Sequence, residues 1–271
     1  MSAETASARP IARRLLRVPE ITAFFWIIKG LSTAMGESTS DYLVHAMSPV
    51  VAVLLGFSGF VIALALQLSR HRYVVWAYWL AVVMVGVFGT MAADVLHVGL
   101  GVPYVASSAL YAIVLIAVFV AWQRTEKTLS IHSVDTVRRE LFYWATVCAT
   151  FAMGTAVGDL TAVTFHFGYS YSALLFAVII VVPIIGFRWL GWNAILSFWF
   201  AYVITRPLGA SIADWLGKPK RLTGLGWGDG RVSIALTIAI AVLVGYLAVT
   251  KSDAQHDETQ ASRAVSAELS G

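Results

Sequence analysis

The chain has 271 residues, of which 59% are hydrophobic and 13% charged, with a formal net charge of +4. Its mean hydropathy of +0.77 excludes a soluble domain of this length, which needs far more polar surface to cover its core. The basic residues sit beside apolar stretches, so the positive charge does not point to nucleic acid.

In chain order, residues 1–20 carry Arg9, Arg13, Arg14 and Arg17. They contain no short apolar core followed by a small-residue cleavage site, so they read as a cytoplasmic tail rather than a removable signal peptide. Apolar runs long enough to cross a bilayer as helices then follow near 21–43, 48–69, 74–95, 103–123, 141–164, 171–188, 193–215 and 231–250. A cytoplasmic linker is expected over 125–140. The one cysteine, Cys148, lies in the fifth run and reads as a small apolar filler. Residues 251–271 are polar and poor in large apolar side chains, the composition of a disordered tail. The expected fold is an all-α integral membrane protein of eight transmembrane helices.

Orientation follows from the basic residues. The tails and the even-to-odd connections hold Arg9, Arg13, Arg14, Arg17, Arg70, Arg72, Arg124, Lys127, Arg138, Arg139, Arg188, Lys251 and Arg263. The opposite loops hold only Lys218, Lys220, Arg221 and Arg231. The positive-inside bias predicts two cytoplasmic termini in a multi-pass protein.

The odd-numbered runs repeat one another without gaps. They read FWIIKGLSTAMGESTSD, YWLAVVMVGVFGTMAAD, YWATVCATFAMGTAVGD and FWFAYVITRPLGASIAD. Each opens on a Trp (Trp26, Trp79, Trp144, Trp199). Ten residues on comes a Gly (Gly36, Gly89, Gly154, Gly209), and five further an Asp (Asp41, Asp94, Asp159, Asp214). The repeat divides the chain into two-helix units at 21–70, 71–124, 141–190 and 191–250. Each unit holds an even number of spans, so the copies are expected to be parallel, arranged as a pseudo-fourfold ring or as two pseudo-symmetric halves.

This pattern resembles a bacterial membrane-protein family defined by four tandem repeats of unknown function, each with two transmembrane segments and a characteristic Trp. The resemblance covers roughly residues 18–250, including Glu126–Ser133 between the halves. It implies the architecture and a plasma-membrane location, and no activity.

Gly and the small residue four positions on share one helix face, the small-xxx-small pattern of close transmembrane packing. Gly36, Gly89, Gly154 and Gly209 are therefore expected in packing seams. The tryptophans are expected to anchor the helices at the interface, the alternative being a ring of Trp around the central axis. Each Asp points about 140° away from its Gly and near the outer surface, close to a helix carboxyl end whose dipole opposes it. Four such carboxylates either converge as an acidic cation pathway or cap neighbouring hairpins. Asp41, Asp94, Asp159 and Asp214, with Glu37 one turn before Asp41, are the candidate cation ligands.

Lys29 and Arg206 are intramembrane cations expected to pair with Glu37 or an Asp of another repeat, as structural bridges or as a gate. Pro207 is expected to kink the seventh helix or free a carbonyl, marking the fourth copy as specialised. His45, His97 and His166 follow three of the aspartates at varying distances, so they form no fixed metal motif, though they offer imidazoles at an outer vestibule. Residues 223–230 (TGLGWGDG) lack the lysine of a phosphate loop.

The leading expectation is a transporter or channel for a small cation, with manganese first among the divalent ions (manganese, magnesium, calcium) that oxygen-rich sites favour, and with protons and monovalent ions as open alternatives. No other cofactor is implied. A non-transporting scaffold or partner-binding protein is the second reading. A membrane enzyme acting on lipid or quinone is the third, weakened because no nucleophile–base pair repeats within the spans; the chain is not expected to be an enzyme.

Overall fold

A computed structural model describes residues 16–252. The expectations for Arg9, Arg13, Arg14, Arg263 and the polar carboxyl tail fall outside the described residues.

Among those residues the chain is all helix, without strands. The helices are α1 (Ala23–Ala46), α2 (Pro49–Leu68), α3 (Val75–Asp94), α4 (Tyr104–Glu126), α5 (Val137–Asp159), α6 (Gly168–Ile179), α7 (Val181–Trp189), α8 (Ala194–Gly217) and α9 (Asp229–Thr250). Local chemistry sets their ends. The hydroxyls of Thr22 and Thr136 and the amide oxygen of Asn193 accept from the free N–H groups of Phe25, Arg139 and Ile195. Pro49 opens α2, where a missing N–H costs nothing. Lys127 and Lys251 close α4 and α9 in the left-handed conformation.

Seven helices, counting α6 and α7 together, are long and apolar enough to cross a membrane. The one that falls short in composition is α1, which carries Lys29, Glu37 and Asp41. A break not anticipated from sequence separates α6 from α7 at Ile180. Pro183 lies just beyond it and has no N–H to offer the carbonyl of Ile179. Pro207, expected to kink its helix or free a carbonyl, sits inside an α8 that runs on past it, and leaves the Val203 carbonyl without its usual helical donor.

The packing is ordered. α1 packs on α3, α3 on α5, α5 on α8, and α8 back on α1. These Trp/Gly/Asp helices enclose an axis. The second helix of each unit lies outside: α2 packs on α3, α4 on α5, α6 on α8, and α9 on α1. Each outer helix thus covers the inner helix of the next unit in the cycle.

Burial follows position. Only 17% of the apolar window of α2, and of α9, is buried, against 67% for α5. The outer helices turn residues such as Leu54, Ile62, Ile113, Ile184, Ile234 and Val242 outward. That apolar exterior fits lipid rather than water.

The repeat glycines lie in the inner seams. A Cβ on Gly36 would come within 2.6 Å of the Gly86 backbone, and one on Gly89 within 2.8 Å of Phe151. One on Gly154 would meet Arg206 and Pro207, and one on Gly209 would meet Thr33. Each glycine lets its own helix approach the next in the ring.

The tryptophans correct the interfacial expectation. Trp79, Trp144 and Trp199 are buried in the main core with Phe25, Tyr78, Tyr143, Phe198 and Tyr202, and Trp26 is half-buried. Trp144 Nε1 donates to Glu140 at 3.4 Å and Trp199 Nε1 to the Leu129 carbonyl at 2.9 Å. For these two the indole N–H is satisfied inside the protein, which removes the need to reach the interface, whereas Trp79 is held by packing alone, its buried N–H meeting no acceptor among the described residues.

Residues 125–140 are more than a linker. Ile131 and Val134 are buried in the same core as Val18, and Arg17 N–H donates to the Val134 carbonyl at 3.0 Å. This end of the ring is closed by an internal ion pair, Arg17 to Glu140 at 2.8 Å, with Gln67 Nε2 also donating to Glu140 at 2.8 Å.

Candidate functional site

Stepping back from each Asp four residues at a time names the side chains that line the axis. The first step gives Glu37, Thr90, Thr155 and Ala210, and the second Thr33, Gly86, Phe151 and Arg206. The third gives Lys29, Val82, Val147 and Tyr202, and the fourth Phe25, Tyr78, Tyr143 and Phe198. All sixteen are buried. Each four-residue step drifts about 40° round a straight helix, so the layers wind round the interior of the ring, each drawing one residue from each repeat, and contacts between the repeats tie them together.

Arg206 binds across this axis. Its Nη2 donates to Glu37 Oε2 at 2.7 Å, to Thr155 Oγ1 at 2.6 Å and to Thr90 Oγ1, while Nη1 reaches the Thr33 carbonyl at 3.3 Å. One guanidinium from the fourth repeat therefore holds the same slot of the other three. Removing one partner from a buried pair of this kind costs about 3–5 kcal/mol.

Lys29 lies deeper and makes no ion pair with any described residue. Its ammonium stands 4.2 Å from the ring centres of both Phe151 and Tyr202, a cation–π arrangement. Among the described residues Arg206 meets the expected carboxylate and Lys29 does not. Below Lys29 the hydroxyls of Tyr78 and Tyr143 hydrogen-bond to each other, and Phe25 packs on Phe198. The axis is filled there.

Above Arg206 it opens. A cavity of about 600 Å³ is lined by Asp41, Asp94, Asp159 and Asp214 together with Glu37, His45, Tyr104, Tyr169 and Lys218. All four repeat aspartates thus share one space, and Glu37 belongs to both the cavity and the Arg206 cluster. Of the three histidines, His45 lines the cavity. His97 stacks on Tyr104 and bonds the Val102 carbonyl, and His166 is exposed.

The aspartates differ in their surroundings. Asp41 pairs with Lys218, and Asp214 lies 3.7 Å from the same ammonium. Burial works against a charge on Lys218, but the Asp41 and Asp214 carboxylates outweigh it and hold the ammonium above its ordinary value. Asp94 and Asp159 are half-buried in the cavity wall, with no ion-pair partner among the described residues. Each ends an α-helix and leads into a π-helical turn, Val95–Gly99 and Leu160–Thr164. Such turns are rare and recur at functional sites.

The model of a family described as Repeat of Unknown Function (DUF347) matches four times, at residues 24–73, 77–128, 142–190 and 197–253. The chain belongs to this family. No curated protein and no solved structure matches it. The four DUF347 matches each contain one inner helix with its Trp, Gly and Asp, followed by its outer helix.

Sequence reading missed the polar cavity residues Tyr104, Tyr169 and, above all, Lys218. That lysine looked like an outer-loop cation, yet its position four residues after Asp214 is the i,i+4 spacing of a helical ion pair. The axial stripe was also legible, since it needs only the four-residue step from each DUF347 aspartate.

Proposed function

We propose that the protein is a transporter for a small cation, with its binding vestibule on the outer side of the plasma membrane and both termini in the cytoplasm. In this reading all eight spans cross the bilayer. α1 crosses despite its charges because α3, α8 and α9 surround it. The four units are parallel, and the inner helices form a pseudo-fourfold ring around the pathway. The positive-inside bias supports this orientation, since the aspartate end carries few basic residues.

One observation carries the proposal: the four repeat aspartates and Glu37 line a single cavity. Five acidic side chains around one space raise the local cation concentration and offer the oxygen ligands that hard divalent ions take. Manganese is the first candidate substrate. Arg206, bound to Glu37, closes the cavity floor, and the aromatic layers close the axis below it. Passage requires the Arg206–Glu37 contact to part, which makes it the gate. No catalytic chemistry is assigned to the cavity.

The test is flux. Purified protein in proteoliposomes is expected to move Mn2+ down an imposed gradient. The D94N/D159N variant, which breaks no ion pair, is expected to slow that flux at least tenfold. Undiminished flux with these carboxylates neutralised would overturn the proposal. The closed axis favours a second reading, a scaffold whose repeat serves packing alone. That reading predicts no flux from the wild-type chain, and changes only in folded yield.

A further inference from the structure

The vestibule is lopsided. Oxygens of Glu37, Asp41 and Asp214 all lie within 4.8 Å of one another, in the corner where α1 meets α8. Asp94 and Asp159 are not part of this group. An ammonium is already seated at the corner: Lys218 Nζ contacts Asp41 and stands 3.7 Å from Asp214. Its backbone is anchored, since Lys218 N–H donates to the Asp214 carbonyl at 2.8 Å and its own carbonyl accepts from Gly226 at 2.9 Å. The side chain is thus a tether of fixed length. In the other repeats the position four residues after the Asp holds His45, Val98 or Val163, so only the fourth copy brings a fixed cation.

We propose that the corner formed by Glu37, Asp41 and Asp214, between the first and fourth repeats, is the vestibule's divalent-cation site, and that Lys218 is its tethered competitor. This rests on the cation-transport reading and sharpens it, by moving the site off the axis and giving it a built-in occupant. The seated ammonium marks the point where this acidic group faces a positive charge. Oxygens on opposite sides of one calcium ion stand roughly 5 Å apart, twice a bond length of about 2.3–2.6 Å; the corner falls inside that spacing and has to tighten slightly round the smaller Mn2+. Glu37 spends Oε2 on Arg206 and Thr90, leaving Oε1 for a ligand. A divalent ion brings twice the charge of the ammonium to the same carboxylates. It binds when the Lys218 arm swings into the cavity, so apparent affinity is reduced by the fraction of molecules with the arm seated. Ion binding at the corner also pulls on Glu37, and through it on Arg206.

The full-length protein in detergent, titrated with Mn2+ and followed by calorimetry and by the Mn2+ spin-resonance signal, tests this. K218Q is expected to bind Mn2+ about tenfold more tightly than wild type. K218R, which keeps a tethered cation, stays within about threefold of wild type, and K218Q/D41N loses the gain. D94N weakens binding less than D41N does. Should K218Q be poorly folded by size-exclusion chromatography, K218M serves in its place. Wild-type binding and flux without tightening in a folded Lys218 variant would overturn this inference and leave the transport reading standing. So would D94N weakening binding as much as D41N. If neither wild type nor a folded Lys218 variant binds Mn2+, both fall together.

Discussion

The two ends of the inner ring are built from the same repeat and behave oppositely. At one end Arg17 and Glu140 pair with side-chain exposures of 8% and 0%, and Gln67 and Trp144 also bond the carboxylate. At the other, Lys218 and Asp41 pair at 16% and 12%, on the wall of an open cavity. The difference lies in what covers each end. Residues 16–18 and the 129–134 segment fold into the first, placing Val18, Ile131 and Val134 in the core. At the second, the connections after Asp94 and Asp159 leave through π-helical turns and do not fill the space. One set of helices thus carries a packed seal at one end and an open cavity at the other.

Thermal unfolding in detergent puts this contrast under strain, beginning with the largest effect. R206M strands Glu37 among Thr90 and Thr155 and is expected to cost about 3–5 kcal/mol. Adding E37Q should return most of that loss, and failure to do so would mean that Arg206 acts through packing instead. R17M at the sealed end is expected to cost about 3 kcal/mol, since Gln67 and Trp144 still bond Glu140. If D41N costs as much, the two ends do not differ in the way described. G36A forces a methyl against the Gly86 backbone and is expected to cost about 1–3 kcal/mol. G30A is its control, because its Cβ meets nothing within 4 Å. W199F loses the indole's hydrogen bond to Leu129 and leaves a small void beside Trp122 and Tyr202, together about 1–2 kcal/mol. D41N at the vestibule end leaves Lys218 beside Asp214, keeps a hydrogen-bonding side chain on the cavity wall, and should cost no more than about 1 kcal/mol.

Much of the fold was legible because the bilayer narrows the choices. A run such as 48–69 must be a helix, and α2 spans Pro49–Leu68. The glycine seams were readable for a similar reason, since small residues four apart have few other uses in a membrane helix. The tryptophans were misplaced because a Trp near a helix end suits the interface and the core equally in one dimension. Only the neighbours, such as the Leu129 carbonyl waiting for Trp199, decide between them. Lys218 was misread because a loop lysine counts first as an orientation signal, and the carboxylate it meets most closely, Asp41, lies 177 residues away in sequence.

By itself the sequence settled the helical class, the four-copy repeat and the periodic spacing that puts a carboxylate at the same depth in each inner helix. These follow from properties one strand of chain carries with it: apolar length, helical period and internal similarity. Only the tertiary structure decided that the four aspartates face one cavity, that Arg206 reaches three other repeats, and that Lys29 meets two aromatic rings in place of an acid. Such contacts join residues on different helices, and which faces meet is set by how closely the glycine seams let those helices approach.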